Sequence, residues 1–216
     1  EIQILPGVGN GTDEYDILYV DSFDGRGGQP YFESAFQMMG ILDNVDRYDI
    51  NGPGSSVANH PGNRVRNVLT QLIPIYRKII WCTGPLTMAI SDEGPQPDKS
   101  NDWQMLFTFM DQHTNASGCG IYLTGDDLAS SWAALQGATG PAFRDVYMPH
   151  VVVSGDQVPT HGIAPLVIGE DGGIFDHGPP NEEDTLVAYG GCPGINDFDV
   201  LQPIGSSQLQ ATYNGS

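Results

Sequence analysis

Carboxylates stand at a glycine-containing turn in the middle of the chain, where a short apolar run ends. Residues 121–123 are apolar and are followed by Thr124, Gly125, Asp126 and Asp127. Glycine adopts backbone angles that other residues resist, and an Asp after it can cap the first amides of a helix. The pattern predicts a buried strand, a sharp turn and an immediate helix. Some enzymes carry a nucleophilic Ser or Cys at such a turn, whereas an Asp there offers a cation ligand, a general base or a nucleophile.

Further polar side chains follow other predicted strands. Because the carboxyl ends of parallel strands meet at one edge of a sheet, these side chains are expected to gather near the turn. Two known arrangements do not fit, because Thr83 stands where a receiver domain has its phosphorylated Asp, and Asp21 and Asp24 lack the Asp-x-Asp spacing of a haloacid dehalogenase. We expect Asp21 and Asp126 to cap turns and helix starts. The ligand-binding candidates at this edge are Asp21, Asp24, Thr83, Asp126 and Asp127.

Calcium ligands are a second type of candidate, in acidic turns near the end of the chain. One turn contains Asp171 before two glycines, and the other contains Asn196, Asp197 and Asp199. Oxygen-rich loops of this kind bind calcium, but Asp-Gly is equally a turn signal, and no EF-hand pattern occurs. We therefore expect that the chain requires no cofactor and has at most one weak calcium site.

Histidine and cysteine form no recognisable constellation in the sequence. The five histidines are scattered without a HExxH motif, and we expect them, His60 and His113 included, at the surface or in turns. The three cysteines include no CxxC pair, and Cys82 and Cys119 adjoin predicted strands, which indicates small core residues. The sequence thus shows neither a zinc pattern nor a disulfide framework.

The charge balance narrows the range of partners. The chain of 216 residues has 27 acidic and 8 basic side chains, a net charge of -19. Such a surface repels nucleic acid and anionic membranes, and no apolar run approaches the ~20 residues that span a bilayer. We expect no nucleic-acid binding and no membrane insertion. The acidity suits a secreted or cell-surface location, and the first residues resemble the interior of a longer polypeptide or a processed terminus.

The elements that would position these residues alternate over most of the chain. Strands are predicted at 16–21, 46–50, 78–83 and 121–123, with helices between them and after the last. Alternation of this kind indicates a parallel sheet with helices on both faces. After residue 148 short strands dominate. We expect a linker-like segment at 1–15 and a single α/β domain at 16–216, with a parallel core at 16–148 and β-rich decoration and closing strands at 149–216.

Helical spacing also predicts which side chains face the core. The expected inward-facing residues are Tyr31, Phe32, Ala35, Phe36 and Met39 in the first helix, Val65, Val68, Leu69, Leu72 and Ile73 in the second, Trp103, Leu106, Phe107 and Met110 in the third, and Phe143, Val146 and Tyr147 in the last.

Four segments in this order resemble the class I glutamine amidotransferase-like superfamily. They are residues 17–21, 79–84, 120–127 and 142–147, and the resemblance covers about residues 15–150. The chain is most similar to the non-catalytic, flavodoxin-like domains found inside large secreted bacterial proteins. The resemblance implies a three-layer α/β/α sandwich with the strand order 2-1-3-4-5.

The same resemblance bears on activity. Amidotransferases carry a Cys within G-x-C-x-G at the turn after this strand, whereas this chain has Asp126 after Gly125 and no thiol there. The resemblance therefore implies a non-catalytic accessory or interaction domain, whose partners are other domains of the parent polypeptide or an extracellular partner. The alternative is a hydrolase that uses the carboxylates at the sheet edge, with or without a divalent metal.

Overall fold

The fold of this chain is given by a computed structural model. The described residues are 16–22, 28–50, 59–84, 90–92, 101–113, 118–125, 128, 139–148, 151–157, 166–172, 185–187, 198–205 and 211–214. The chain divides into two compact units, Glu1–Tyr147 and Met148–Ser216.

A parallel four-stranded sheet forms the centre of the first unit. Its strands are β1 (Ile17–Asp21), β2 (Val45–Asp49), β3 (Lys78–Gly84) and β4 (Gly120–Gly125). They lie in the order β2-β1-β3-β4, and every neighbouring pair is parallel. The predicted α/β class and mainly parallel sheet are confirmed, with the first four strands in the predicted order. Among the described residues no fifth strand joins this sheet.

The middle strand β1 and the edge strand β4 differ in burial. All five residues of β1 are buried, as its continuous apolar run predicts for a strand covered on both faces. In β4, by contrast, no residue is fully buried, and Tyr122 is 54% exposed. The prediction that residues 121–123 are buried was wrong, because β4 pairs only with β3 in the described sheet and lies at its edge.

Helices connect the strands of the first unit. They are α1 (Gln29–Met38), α2 (Pro61–Arg64), α3 (Val68–Gln71), α4 (Asp102–Gln112) and α5 (Thr139–Tyr147), with a 3₁₀ turn at Leu42–Asn44.

The single helix predicted around residues 65–73 is instead two short helices, α2 and α3. Val65 and Asn67 have extended backbone angles and separate them. The Asn67 side chain accepts a hydrogen bond from Leu69 N, and Gln71 Oε1 accepts from Asn67 N at 2.8 Å. These side chains satisfy backbone amides that a continuous helix would have bonded internally, so Asn67 starts a new helix.

The inward faces of the long helices differ from the predicted ones. In α1 only Phe36 of the predicted set is fully buried, whereas Tyr31 and Met39 are 58% and 68% exposed. Among the described helices, α4 supplies the most buried apolar side chains, namely Trp103, Met105, Leu106 and Phe109. The spacing gave the correct helix but a rotated face, because the packing partners decide which side of a broad apolar stripe is covered.

The second unit is β-rich, as expected. Its described strands are β5 (Val151–Gln157), β6 (Leu166–Gly169), β7 (Thr185–Val187), β8 (Phe198–Pro203) and β9 (Ala211–Asn214). Strand β5 pairs with β8, and β6 pairs with β7 and β9, all antiparallel. Strand β8 was not predicted, and Asp199 was expected in a turn. The Asp residues on either side of Phe198 are typical of turns, so they concealed the start of the strand.

A buried imidazole follows α4 at the end of the helix opposite to Asp102. His113 is 6% exposed, and its ring centroid lies 4.6 Å from that of Phe109. Within the described part of the chain, its Nε2 has no hydrogen-bond partner. Burial lowers the pKa of His113; a backbone hydrogen bond with Tyr76 opposes this effect, and the charge of Arg77 adds to it. His113 was expected at the surface or in a turn; it lies in the turn that follows α4, but its side chain is buried rather than at the surface.

We expect this histidine to make the fold less stable in mild acid. The pKa of His113 in the folded chain lies below its ordinary value of 6.5, so the unfolded chain binds the proton more readily. Its contribution is fully present above about pH 7.5 and is lost as the pH falls through 6.5 towards the lower folded pKa. Urea unfolding between pH 8 and pH 5.5 measures this slope. His113→Phe should flatten it, and equal slopes for both proteins would contradict the assignment.

Candidate functional site

The carboxyl edge of the parallel sheet has one topological switch point. Strand β1 lies between β2 and β3, so the connections that leave β1 and β2 run in opposite directions across the sheet. In open α/β sheets ligands bind outside the carboxyl ends of the strands at such a point. The residues there are Asp21 and Ser22 at the end of β1 and Cys82, Thr83 and Gly84 at the end of β3.

The ends of β1 and β3 are joined by buried hydrogen bonds. Asp21 and Ser22 are each 1% exposed. Ser22 N donates to Cys82 O at 3.0 Å, and the indole Nε1 of Trp81 donates to Ser22 Oγ at 2.8 Å. The backbone oxygen of Asp21 accepts from Ile50 N at 2.9 Å, which also ties in the end of β2. Asp21, a predicted ligand candidate, is thus held inside the protein.

Thr83, another predicted candidate, packs against the end of β4. It is fully buried, and its hydroxyl lies 3.3 Å from Thr124 O, to which it donates. A Cβ placed on Gly125 would lie 1.7 Å from Thr83 Oγ1. Gly125 does not have a positive φ, so the predicted reason for this glycine was wrong. The close approach of the Thr83 side chain, rather than an unusual backbone angle, requires it.

A buried thiol and phenol lie beneath the start of α1. Cys82 is 5% exposed, which confirms its predicted place in the core, and its Sγ would lie 3.1 Å from a Cβ on Gly28. Burial raises the pKa of the Tyr19 phenol, and the neighbouring Cys82 and Asp21 raise it further. The phenol therefore stays protonated over the physiological pH range.

A second polar group at this edge was not found from the sequence. Asp102, the first residue of α4, is fully buried. Its Oδ2 lies 2.6 Å from His60 Nδ1 and accepts from Ser91 N at 2.9 Å and Ser91 Oγ at 2.8 Å. Its Oδ1 accepts from Gly62 N at 2.8 Å. We call these four residues, Asp102, His60, Gly62 and Ser91, the Asp102 cluster.

The Asp102 cluster connects segments that follow two different strands. His60 and Gly62 come after β2, whereas Ser91 comes after β3. A carboxylate acceptor favours the His60 tautomer with hydrogen on Nδ1. His60 was expected at the surface or in a turn; it directly precedes α2, and only 16% of its side chain is exposed. Gly62 is required here because an added Cβ would lie 2.4 Å from the Asn101 carbonyl.

Neighbouring polar groups extend this connection towards β2. Tyr48 Oη donates to Asn59 O at 2.8 Å, and Arg64 Nη2 donates to Asn59 Oδ1 at 2.6 Å. Burial raises the pKa of Tyr48, Arg64 lowers it, and Asp102 raises it again. The charges of Arg64 and Asp102 therefore act on the Tyr48 phenol in opposite directions.

The Asp102–His60 pair has the geometry by which many hydrolases orient a general base. However, Asp102 also accepts the Ser91 hydroxyl, so this hydroxyl bonds the acid rather than the imidazole. The first amides of α4 are engaged as well, because Asp102 N and Trp103 N donate to Ser91 O and Gln104 N donates to Asn101 Oδ1. These amides are already hydrogen-bonded within the protein, so the contacts fit a structural role in holding the chain segments together better than a role in binding an oxyanion.

The remaining predicted residues fall in three groups. Asp24, Asp126, Asp127, Asn196 and Asp197 lie outside the described residues, as does the helix predicted after the turn except for Leu128, which is helical. Asp171 lies in an exposed turn after β6, and Asp199 lies in β8 with Asp156 as its register partner. Within the described part of the chain, no three His, Cys, Asp or Glu residues lie close enough together to hold a metal ion.

Comparisons with models of protein families, with curated proteins and with solved structures find no match to this chain. The resemblance to the amidotransferase-like superfamily therefore stays a prediction. None of the helices in the described part of the chain is long and apolar enough to cross a membrane.

Replacing the buried acid should destabilise the first unit. Asp102→Asn removes the charge and brings an amide donor to Gly62 N or to Ser91 N, so we expect a loss of about 3 kcal/mol in the free energy of unfolding. Urea denaturation measures this loss, with Asp111→Asn on the exposed side of the same helix as the control. A loss below about 1 kcal/mol would show that the network relaxes around the amide.

The two glycines at the ends of β4 allow a matched test of the close contact between Gly125 and Thr83. Gly125→Ala should destabilise the fold by about 2 kcal/mol or more, because the new methyl overlaps Thr83 Oγ1. Gly120→Ala meets no atom within 4 Å and should have a much smaller effect. Thermal melts compare the two variants, and the double variant Gly125→Ala with Thr83→Ala should recover part of the loss. Equal melting temperatures for the two single variants would refute the contact.

Proposed function

We propose that this chain is a non-catalytic accessory or interaction domain of a larger protein that is secreted or exposed at a cell surface. It resembles the amidotransferase-like domains of large secreted bacterial proteins, but Asp126 stands where that family has its nucleophilic cysteine. The parallel sheet with the order β2-β1-β3-β4 is consistent with such a domain.

The observation that carries this proposal is that hydroxyl groups at the carboxyl edge form hydrogen bonds with other groups of the protein. Ser22 Oγ accepts from the Trp81 indole, the buried Thr83 hydroxyl donates to Thr124 O, and Ser91 Oγ donates to Asp102. A catalytic hydroxyl needs a base that takes its proton and room for a substrate. Each of these hydroxyls instead lies against a protein group that it helps to hold in place.

The charge supports the proposed class of partners. A net charge of -19 opposes binding to nucleic acid and to anionic membranes. The proposed partners are protein surfaces, either other domains of the parent polypeptide or an extracellular partner. In this role the chain requires no cofactor, and calcium at the late acidic turns would only be an auxiliary ligand.

An activity screen tests the proposal directly. The purified chain is incubated with chromogenic esters, amides, phosphates and glycosides, with and without divalent metals, and with fluorophosphonate and iodoacetamide labels. We expect turnover no higher than with the heat-denatured chain and no labelling of a serine by fluorophosphonate. Labelling of an exposed cysteine by iodoacetamide at the rate of free cysteine is consistent with the proposal.

Two outcomes would contradict it. Turnover that is lost in His60→Gln would make the Asp102–His60 pair catalytic. Turnover that is lost in Asp126→Ala would instead support the hydrolase alternative, in which carboxylates at the sheet edge perform the chemistry. Far-ultraviolet circular dichroism of each variant separates loss of activity from loss of fold.

A further inference from the structure

Exposed apolar side chains are concentrated on α1 and the turn that follows it. Tyr31, Met38, Met39 and Leu42 are 58%, 80%, 68% and 40% exposed. We call these four residues the α1 surface. They make up half of the large hydrophobic side chains that are exposed in the described residues. Single exposed apolar residues are common, but a group of large ones on one element marks an interaction site.

Helical spacing places two members of the α1 surface on one face of the helix, and the other two follow directly after it. Tyr31 and Met38 are seven residues apart and therefore share one face of the helix, with Ala35 between them. Leu42 begins the 3₁₀ turn beyond the helix. The adjoining face, with Phe32 and Phe36, packs on Tyr19 of the sheet.

The charge near the α1 surface is negative or neutral. The last turn of α1 has no basic residue, and exposed Asp43 follows Leu42. The half-exposed Glu33 lies on the same helix and pairs with Arg47. The whole chain adds a net charge of -19, so a partner approaching this surface gains electrostatically only if it is cationic.

We propose that the α1 surface is the docking site for a cationic amphipathic segment of a partner protein. The proposal rests on the proposed function and names the chemistry of its partner. Methionine side chains are flexible and polarizable, so Met38 and Met39 can adapt to the apolar face of a helix laid across them. The basic face of that helix would remain near Asp43 and the acidic surface of the chain.

A second copy of this chain fits the same surface less well. Self-association would bring two surfaces of high negative charge together, and this repulsion grows as the salt concentration falls. A cationic partner shows the opposite salt dependence, because attraction between exposed charges is screened as salt is added. The sign of the salt effect therefore separates the two occupants.

A designed peptide tests the proposal on the full chain. The probe is a labelled helix of about 18 residues built from Leu and Lys, with the leucines on one face. The control peptide has the same composition, with the leucines distributed around the helix. Fluorescence anisotropy at low and at moderate salt should show binding of the first peptide, weaker at higher salt, and at least about fivefold weaker binding of the second.

Protein variants locate the site. The double variant Met38→Gln with Met39→Gln keeps the charge and should weaken binding of the amphipathic peptide at least about fivefold. Leu69→Gln, on α3, changes a side chain that is 50% exposed and should leave binding unchanged. Melting curves check that the variants remain folded, as expected for exposed positions.

Three results would overturn the proposal. Equal affinity for the two peptides would mean that charge alone drives binding, and unchanged affinity in the double variant would place the site elsewhere. A dimer of the wild-type chain in sedimentation that the double variant abolishes would make a second copy the occupant. None of these results touches the proposed non-catalytic role, which fails only if the activity screen finds turnover.

Discussion

Burial of the Asp102 carboxylate is the constraint on which the carboxyl edge of the first unit depends. A buried charge is costly unless hydrogen bonds replace the water that it loses. His60, Gly62 and both donors of Ser91 provide this replacement. Because these donors come from the segments after β2 and β3, satisfying one carboxylate fixes both segments against the start of α4. The positions of residues 59–62 and 90–92 against the start of α4 thus depend on a single electrostatic requirement.

The same requirement shapes the functional conclusion. Asp102 is hydrogen-bonded to both the Ser91 hydroxyl and His60. The Trp81 indole donates to Ser22 Oγ, and Gly125 at the end of β4 packs directly against the Thr83 hydroxyl. Groups that an enzyme would keep ready for a substrate are used to rigidify the edge. On α1, by contrast, Met38 and Met39 are 80% and 68% exposed, which makes that helix, rather than the sheet edge, the better candidate for contact with another protein.

Local sequence signals predicted the elements that depend on local physics. The continuous apolar run of β1 placed a strand covered on both faces, and Gly40, with a φ of 69°, ends α1 as expected. The alternation of strands and helices predicted the parallel sheet, since parallel neighbouring strands need a crossover connection that is usually a helix. Asn67 broke a predicted helix in two, because its side chain competes for the same amides that helical spacing alone assigns to the backbone.

The sequence by itself therefore determined the class of the fold and the helical start at Asp102, whereas the order of the first four strands was implied by the resemblance to a known superfamily. Only the tertiary structure decided that Asp102 meets His60, because the two residues are 42 positions apart and no local pattern records their contact. It also decided that Gly125 serves a close approach to Thr83, that Tyr122 lies on an edge strand, and that Met39 faces outward. Each of these depends on which element lies opposite, and that is fixed by packing and by the pairing of buried charge, not by the periodicity of one segment.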